Sequence, residues 1–579
     1  MQKRAKADAK AGDMTGDMTG GMAIVETLIA NGVEWVFGVP GAQLYPLFDA
    51  LQQRSELIRT LGARHEQACG YMAFGYARST GRPGVFAVVP GPGILNTSAA
   101  ICTAHGCCAP VLLITGQVPS AFLGRGRGHL HELPDQLATL RSLTKWAARI
   151  ERPADAPAVL NEAFRQMLSG RPGAVAVEMA WDTMASRGHV ELLGAAAISK
   201  PPAPSPSEVE EAARLLAAAT RPMIMVGSGA QHASAAVRAL AEELDAPVAA
   251  FRGGRGILAE DHALGVSSYA AYRLWPDTDA LVGIGSRVEM PYMRWTGMMS
   301  LVDRPQAPPH LIRIDIDPAE MRRLVPHAGI VADADAGSRA LLAAVRRLRA
   351  RKGARKAAVA GAKSARARIA AAKAEARAAY AKVQPQLAYL DAIRKVLPRD
   401  GILVIEVSQM GFTSYFGFPV YAPRTYVSEG FQGTLGFGFP TALGVKVAHP
   451  DKPVVSVTGD GGFMFAVQEL ATATQFGIAL ITLVFNNASY GNVLRDQRTA
   501  FANRVIGSVL DNPDFMLLAR AFGVEAHRVS SPAALERVLA NTIHTQKPVL
   551  IEIEVPQGSE VSPWEFIHPG NPQAHLTRR

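Results

Sequence analysis

The stretch PVVSVTGDGGFMFAVQELATATQFGIALITLVFNN, residues 453–487, decides how the chain is read. PVVSVT is an apolar β run, and GDGG is a turn. FAVQELATATQFG has helical spacing and stops at Gly477, and IALITLVF is a second β run that ends at Asn486-Asn487. Strand, turn, helix and strand in that order make one unit of a parallel sheet. Asp460 and Asn487 then both sit at carboxyl ends of strands, where ligands gather in open α/β sheets. Gly459, Gly461 and Gly462 let the backbone approach an anion closely. A carboxylate beside a phosphate is repulsive unless a cation bridges them. Asp460 and the Asn487 amide oxygen are hard oxygen ligands of the kind Mg²⁺ takes while it keeps phosphate oxygens and water. The motif therefore predicts a metal-bridged diphosphate.

The same alternation runs outward from this unit. The chain has 579 residues, room for three or four domains at roughly 150 residues each. Residues 22–187 carry the strand candidates VEWVFGVPG, PGVFAVVPGPG and PVLLITGQ. SKPPAPSPSE, residues 199–208, is Pro/Ser-rich and marks a linker, placed at 188–205. Residues 206–350 carry PMIMVGSG, APVAAF, DALVGIG and HLIRIDID. The GSGAQHASAAVRAL turn in this unit lacks a third glycine in register, so it reads as a strand-to-helix corner and not as a dinucleotide fingerprint. Residues 386–560 carry GILVIEV, PVVSVTGDG, IALITLVFNN and PVLIEIEV. The fold class is α/β, with three doubly wound parallel-sheet domains. Residues 1–21, with a GDMT repeat and no apolar core, read as a disordered tail. Residues 561–579 read as a C-terminal tail.

Composition narrows the function classes. Hydrophobic residues make up 48% and charged residues 19% of the chain, a globular balance. Formal net charge is +10, but much of the excess lies in VRRLRARKGARKAAVAGAKSARARIAAAKAEARAAYAK, residues 345–382. That run sits across the basic helical linker 351–385 and has no interleaved aromatics for base stacking. A solvated connecting helix is the first reading, and a non-catalytic nucleic-acid-binding protein that uses this helix is the alternative. The four cysteines, at 69, 102, 107 and 108, form no disulfide framework and no zinc spacing, which points to a reducing, cytoplasmic setting. No apolar run is long enough to span a membrane.

LGVKVAHPDKPVVSVTGDGG followed by NN resembles the thiamine diphosphate motif of the 2-oxo-acid decarboxylase and acetohydroxyacid (acetolactate) synthase superfamily. RHEQACGYMAFGYAR, residues 64–78, resembles its pyrimidine-domain signature, and the likeness extends along nearly the whole chain. It implies pyrimidine-binding, Rossmann-like middle and diphosphate-binding domains in that order, with thiamine diphosphate and Mg²⁺ as cofactors. By this resemblance Asp460, the Asn487 side chain and the Ser489 carbonyl bind the metal. Glu66 is then the acid that hydrogen-bonds N1′ of the aminopyrimidine and relays proton transfer through the cofactor. GTLGFGFPTALG, residues 433–444, resembles the loop that supports the bent cofactor, so Gly433 and Leu435 join the cofactor set, Leu435 beneath the thiazolium. Ser408 and Gln409 match diphosphate-loop positions, with Met410 where synthases often carry histidine.

GVPGAQLYPLFDAL, GPGILN, TGQV and DIDPAEM are most similar to acetohydroxyacid synthases, and Gln117 matches a glutamine near the cofactor there. Lys145 in TKW also matches, beside a plain surface-lysine reading. The resemblance implies a decarboxylating carboligase that joins a 2-oxo acid to an aldehyde or ketone acceptor, as in branched-chain amino acid biosynthesis. It also implies a homodimer or homotetramer with shared sites. The departures leave open a benzaldehyde-lyase-like enzyme or a 2-oxo-acid decarboxylase acting on an aryl or hydroxy-ketone substrate. Asp496 stands where synthases carry tryptophan. Gln43 stands where benzaldehyde lyase has a catalytic histidine. The flavin stretches appear as GVSSYAAYR and GIGSRVEMPYM, so the likeness does not carry FAD over. His129 and His131 read as solvated loop residues, with a place facing the site as the alternative.

Overall fold

The computed structural model describes residues 15–295, 310–351 and 355–569. Three six-stranded sheets, parallel throughout, carry the three domains. In the first, the strands run in space as Arg59–Gly62, Trp35–Gly38, Gly84–Val88, Val111–Gln117, Val175–Ala180 and Trp146–Ile150. The third sheet repeats that order with Tyr426–Val427, Ile402–Ile405, Val454–Gly459, Ile481–Asn486, Val549–Glu554 and Glu525–Val529. The middle sheet runs Gly265–Val266, Val248–Ala250, Pro222–Val226, Ala280–Ile284, His310–Asp315 and Ala328–Val331. That is the order 3-2-1-4-5-6 of dinucleotide-binding folds.

Central strands such as VVSVTG and VLLITG are buried almost throughout, as parallel strands covered on both faces must be. In the third sheet the chain lays Tyr426–Val427 on one side of Ile402–Ile405 and then returns to the other side with Val454–Gly459. The reversal opens a crevice between the ends of the two inner strands. Ser408 follows one of them and Asp460 the other.

The first and third domains meet along two helices, Glu66–Thr80 and Gly438–Ala448. Their backbones touch. A Cβ on Gly75 would lie 2.1 Å from the Thr441 carbonyl oxygen, and one on Gly444 2.0 Å from that of Met72. Gly75 and Gly444 are thus contact points, and they fix the helix that begins with Glu66 against the third domain. Phe74, Phe437 and Leu443 pack in the same core.

Several expectations change. Thr15–Thr19, assigned to the tail, is a strand paired antiparallel with Arg187–Glu191, and a helix begins at Gly20. Residues 1–14 lie outside the described part. Arg187–Glu191 in turn takes up the start of the assigned linker. FAVQELATATQFG is not one helix. Asp460–Met464 and Leu470–Gln475 are helical, with a 3-10 turn at Val467–Glu469 between them. The break turns Glu469 inward, where its carboxylate accepts the Arg64 N–H at 3.1 Å and the Thr472 hydroxyl at 2.6 Å. Trp564–Ile567, in the assigned C-terminal tail, is a short helix with Phe566 and Ile567 buried. Helix Arg355–Tyr380 buries Ile369, Ala372 and Ala376, while Arg366 pairs with Asp245 at 2.8 Å and Arg377 with Asp391 at 2.5 Å. Its described part is a packed connector. Among the described residues no helix is long and apolar enough to cross a membrane.

Candidate active site

The candidate residues fall into two groups, candidate half-sites on the two sheets of like strand order. In the third domain, Val454–Gly459 delivers Asp460 and Ile481–Asn486 delivers Asn487, both at carboxyl ends of neighbouring strands. Asp460 is 2% exposed, and Asn487 and Ser489 are also buried. The Ser489 N–H and hydroxyl donate to Asn487 Oδ1 at 3.0 and 2.9 Å, and the Ser489 N–H also reaches the Asp460 carboxylate. The three expected metal residues therefore converge. Asn512, which no motif marks, donates to Asp460 Oδ2 at 2.7 Å and to Asn486 Oδ1 at 3.0 Å.

Burial pushes the Asp460 carboxyl above its usual range, against the Asn512 hydrogen bond. Glu560 is pushed up to about 7, by burial first and also by the nearby Asp460 charge, while its bond from Asn487 works the other way. Asp460 and the half-buried Glu560 thus raise each other's cost of ionisation, which a nearby divalent cation would offset. Among the described residues no cluster of three or more His, Cys, Asp or Glu side chains could hold a metal. The expected donor set of one carboxylate, one amide oxygen and a carbonyl would leave positions for phosphate oxygens and fit Mg²⁺ better than zinc.

The glycines of GDGG have a second reason to be there. A Cβ on Gly461 would lie 2.5 Å from the Tyr490 ring, and one on Gly462 2.7 Å from the Glu406 carboxyl. Their bare sides face protein, whereas Gly459 has only Ser408 Cβ near it, at 3.5 Å. Ser408 caps the following helix by accepting the Gly411 N–H at 3.0 Å. Gln409 Oε1 accepts from Arg495 at 3.3 Å.

Glu406 ties the cradle together. It is buried and accepts from the Gly436 N–H, the Phe437 N–H at 3.2 Å and the Thr458 hydroxyl. One carboxylate thereby joins the strand before Asp460 to the loop that carries Gly433 and Leu435. On the other side of that loop, the Tyr71 hydroxyl donates to Thr434 Oγ1 at 2.7 Å. Burial pushes Glu406 up to about 7. The folded state therefore binds a proton that the unfolded chain releases near 4.5. This stability contribution is complete at low pH and is lost as pH rises through about 7. Glu406→Gln should flatten that slope in urea melts of the cofactor-free protein. Glu406→Ala, which orphans buried N–H groups, should cost roughly 3–5 kcal/mol. An alanine variant as stable as the parent would show that the loop is held otherwise.

The other half-site lies in the first domain. Glu66 opens its helix after His65, whose Nδ1 accepts the Gln67 N–H at 3.1 Å. Asn96 Nδ2 donates to Glu66 Oε2 at 3.0 Å, and a Cβ on Gly93 would lie 3.7 Å from Glu66 Cγ. Gln117, at the end of Val111–Gln117, sits in a buried polar knot and donates to Glu178 at 3.5 Å, while Gln136 donates to the same carboxylate at 2.7 Å. Gln43 is buried too. It donates to the Leu130 carbonyl at 3.0 Å and lies 3.2 Å from His131 Nδ1. His131 and His129 are both half-buried, and His129 rests on the Phe122 ring. Neither is a free solvated side chain. Lys145 donates to the carbonyls of Gln166, Ser169 and Arg171 at 2.5–2.9 Å, which caps the end of helix Ala156–Leu168. Its contacts are structural. The four cysteines are unpaired thiols, with Cys69 buried and the others half-buried.

The contacts of Glu66 and Gln117 lie within the first domain, and those of Asp460, Asn487 and Ser489 within the third. Exposed apolar side chains flank both: Leu95 (51% exposed) precedes Asn96, and Phe465 (49%) follows the Asp460 helix. A separate cavity of about 410 Å³ lies along the middle sheet, lined by Gly227, Arg252, Arg287, Asp315 and Asp333 among others. It is a different place from the Asp460 crevice.

Comparison with known proteins agrees with this division. Residues 18–139 match the thiamine pyrophosphate enzyme N-terminal TPP binding domain, 209–341 the central domain and 408–553 the C-terminal TPP binding domain. The chain is 35% identical to the probable 2-ketoarginine decarboxylase AruI of Pseudomonas aeruginosa, over 92% of this chain and 93% of that one. It is 33% identical to a probable acetolactate synthase large subunit of Methanocaldococcus jannaschii, over 92% and 91%. Against the acetolactate synthase isozyme 2 large subunit of Escherichia coli the identity is 30%, over 96% and 98%.

Proposed function

The chain belongs to the thiamine pyrophosphate enzymes, and from that premise we propose that it is a Mg²⁺-dependent, decarboxylating 2-oxo-acid carboligase of the acetolactate synthase type. The observation that carries the reading is the convergence of Asp460, Asn487 and Ser489 at the sheet reversal. The cofactor, when bound, supplies the nucleophilic carbon and the electron sink for loss of CO₂. Asp460, the Asn487 amide oxygen and the Ser489 carbonyl would hold the metal that its diphosphate needs. Ser408 and Gln409 line the diphosphate side, and Leu435 gives an apolar wall that excludes water. Glu66 holds the proton at the aminopyrimidine nitrogen, and Asn96 orients its carboxyl. Gln117 and Gln43 line the approach.

Two half-sites flanked by exposed apolar side chains favour a homodimer in which each is completed by the partner copy. Apolar patches of that kind seek cover.

A second reading is a decarboxylase for a 2-oxo acid with a cationic side chain. Asp496 replaces an aromatic residue on helix Gly491–Ala500, which starts four positions after Asn487, and a relative named for 2-ketoarginine spans nearly the whole chain. Carboxylates are what a guanidinium selects.

One screen separates the two. Purified protein with thiamine diphosphate and Mg²⁺ is offered pyruvate, 2-oxobutyrate, glyoxylate and 2-ketoarginine, with and without benzaldehyde as acceptor. Coupled 2-hydroxyketone products support the carboligase. CO₂ and an aldehyde from 2-ketoarginine alone support the decarboxylase. No turnover on any oxo acid overturns both. The absorbance spectrum of the purified protein is expected to lack flavin bands, because the stretches GVSSYAAYR and GIGSRVEMPYM differ from those of flavin-binding synthases. Flavin absorbance bands in that spectrum would reverse that expectation.

A further inference from the structure

Glu560 lies beyond the matched C-terminal domain, in a loop that follows the strand Val549–Glu554. We infer that it is a positioning residue for the metal site: its carboxylate fixes which face of the Asn487 amide is offered to the cation. The inference rests on the reading of Asp460, Asn487 and Ser489 as the metal-bearing group.

A carboxamide has an acceptor end and a donor end, and only the oxygen can ligate a metal. Asn487 Nδ2 donates to Glu560 Oε2 at 2.5 Å, while Oδ1 takes the Ser489 N–H and hydroxyl. Turning the amide over would set its oxygen against a carboxylate and its NH₂ against the Ser489 N–H. Both contacts would be repulsive, so Glu560 and Ser489 together lock one orientation.

The loop that brings Glu560 is held on both sides. The Val555 N–H donates to the Asn486 carbonyl at 2.9 Å. The Val561 N–H donates to the Gln384 carbonyl at 3.0 Å, and its carbonyl accepts from Gln386 Nε2 at 2.7 Å. Gly491 leaves room for the pair, since a Cβ there would lie 2.8 Å from Asn487 Nδ2 and 3.6 Å from Glu560 Oε2. The reach of the side chain at 560 is therefore set within a fixed frame.

Reach and charge can be separated. Glu560→Gln keeps the reach and an oxygen that accepts from Asn487, but removes the charge. Glu560→Asp keeps the charge and shortens the reach by one methylene. The readout is the Mg²⁺ concentration that half-saturates thiamine diphosphate binding, followed by tryptophan fluorescence of the full-length protein without substrate. Glu560→Asp should raise it about 10–100-fold, the usual loss for an outer-shell partner, and Glu560→Gln by less than about 3-fold. The reverse order would make Glu560 a charge partner or a ligand, and equal values for all three proteins would make it inert. Either result overturns the inference. Absence of Mg²⁺-dependent binding in the unsubstituted protein overturns the underlying reading of the site, and the inference with it.

Discussion

Glu66→Gln is expected to lower turnover about 10²–10⁴-fold, the usual worth of a positioned acid–base group, while thiamine diphosphate still binds. The substitution is nearly isosteric. Asn96 Nδ2 now donates to Glu66 Oε2 at 3.0 Å and can donate equally to the glutamine oxygen, so the side chain keeps its place. Its helix is anchored independently of the carboxyl group, through Gly75 against Thr441, Gly444 against Met72, and Glu469 on the Arg64 N–H. What is lost is a group that can hold and release a proton at the aminopyrimidine nitrogen, because an amide does not titrate there. CO₂ release measures the first effect, and calorimetric titration with cofactor and Mg²⁺ measures the second. Activity within tenfold of the parent would remove Glu66 from the mechanism. Equal loss of binding and turnover would make it a binding residue only.

That prediction could be framed from the sequence because its residues sit in long motifs at strand ends. GDGG and NN mark Asp460 and Asn487 through apolar β runs that stop abruptly, and the structure ends its strands at Gly459 and Asn486. The residues that hold these groups in place carry no such mark. Glu406, Asn512 and Glu560 are single polar side chains, 54 positions before Asp460, 52 after it and 73 after Asn487 respectively. Only the fold gathers them. Glu406 could be suspected from an acid at the end of the apolar run ILVI, which has to find donors once buried. The missed strands have physical reasons as well. Tyr426–Val427 and Gly265–Val266 have only two residues each, and Glu525–Val529 reads EAHRV at a sheet edge, where one side needs no apolar cover. Thr15–Thr19 pairs with Arg187–Glu191 across the whole first domain, a partnership no local pattern encodes.

Asp460→Asn should separate binding from stability, with opposite signs. The carboxyl is 2% exposed, and burial raises its proton affinity, so without a cation the ionised form is an expense to the fold. Asparagine keeps an oxygen for the Asn512 donor, which now sits at 2.7 Å, and removes the like charge beside Glu560. The cofactor-free variant should therefore unfold at the parent's denaturant midpoint or above it. Cofactor binding should behave differently. Asp460 is the one carboxylate among the three expected metal residues, and its charge offsets that of the cation as the diphosphate enters. Losing an outer-shell partner typically costs 10–100-fold in metal affinity, so losing this ligand's charge should weaken Mg²⁺-dependent thiamine diphosphate binding by more than about 100-fold. Urea unfolding of the cofactor-free protein and calorimetric titration of the same sample give the two numbers. A variant that is destabilised and still binds would assign Asp460 to the scaffold. A variant that keeps its stability and loses its cofactor would assign it to the metal, because the buried charge then serves only the bound state.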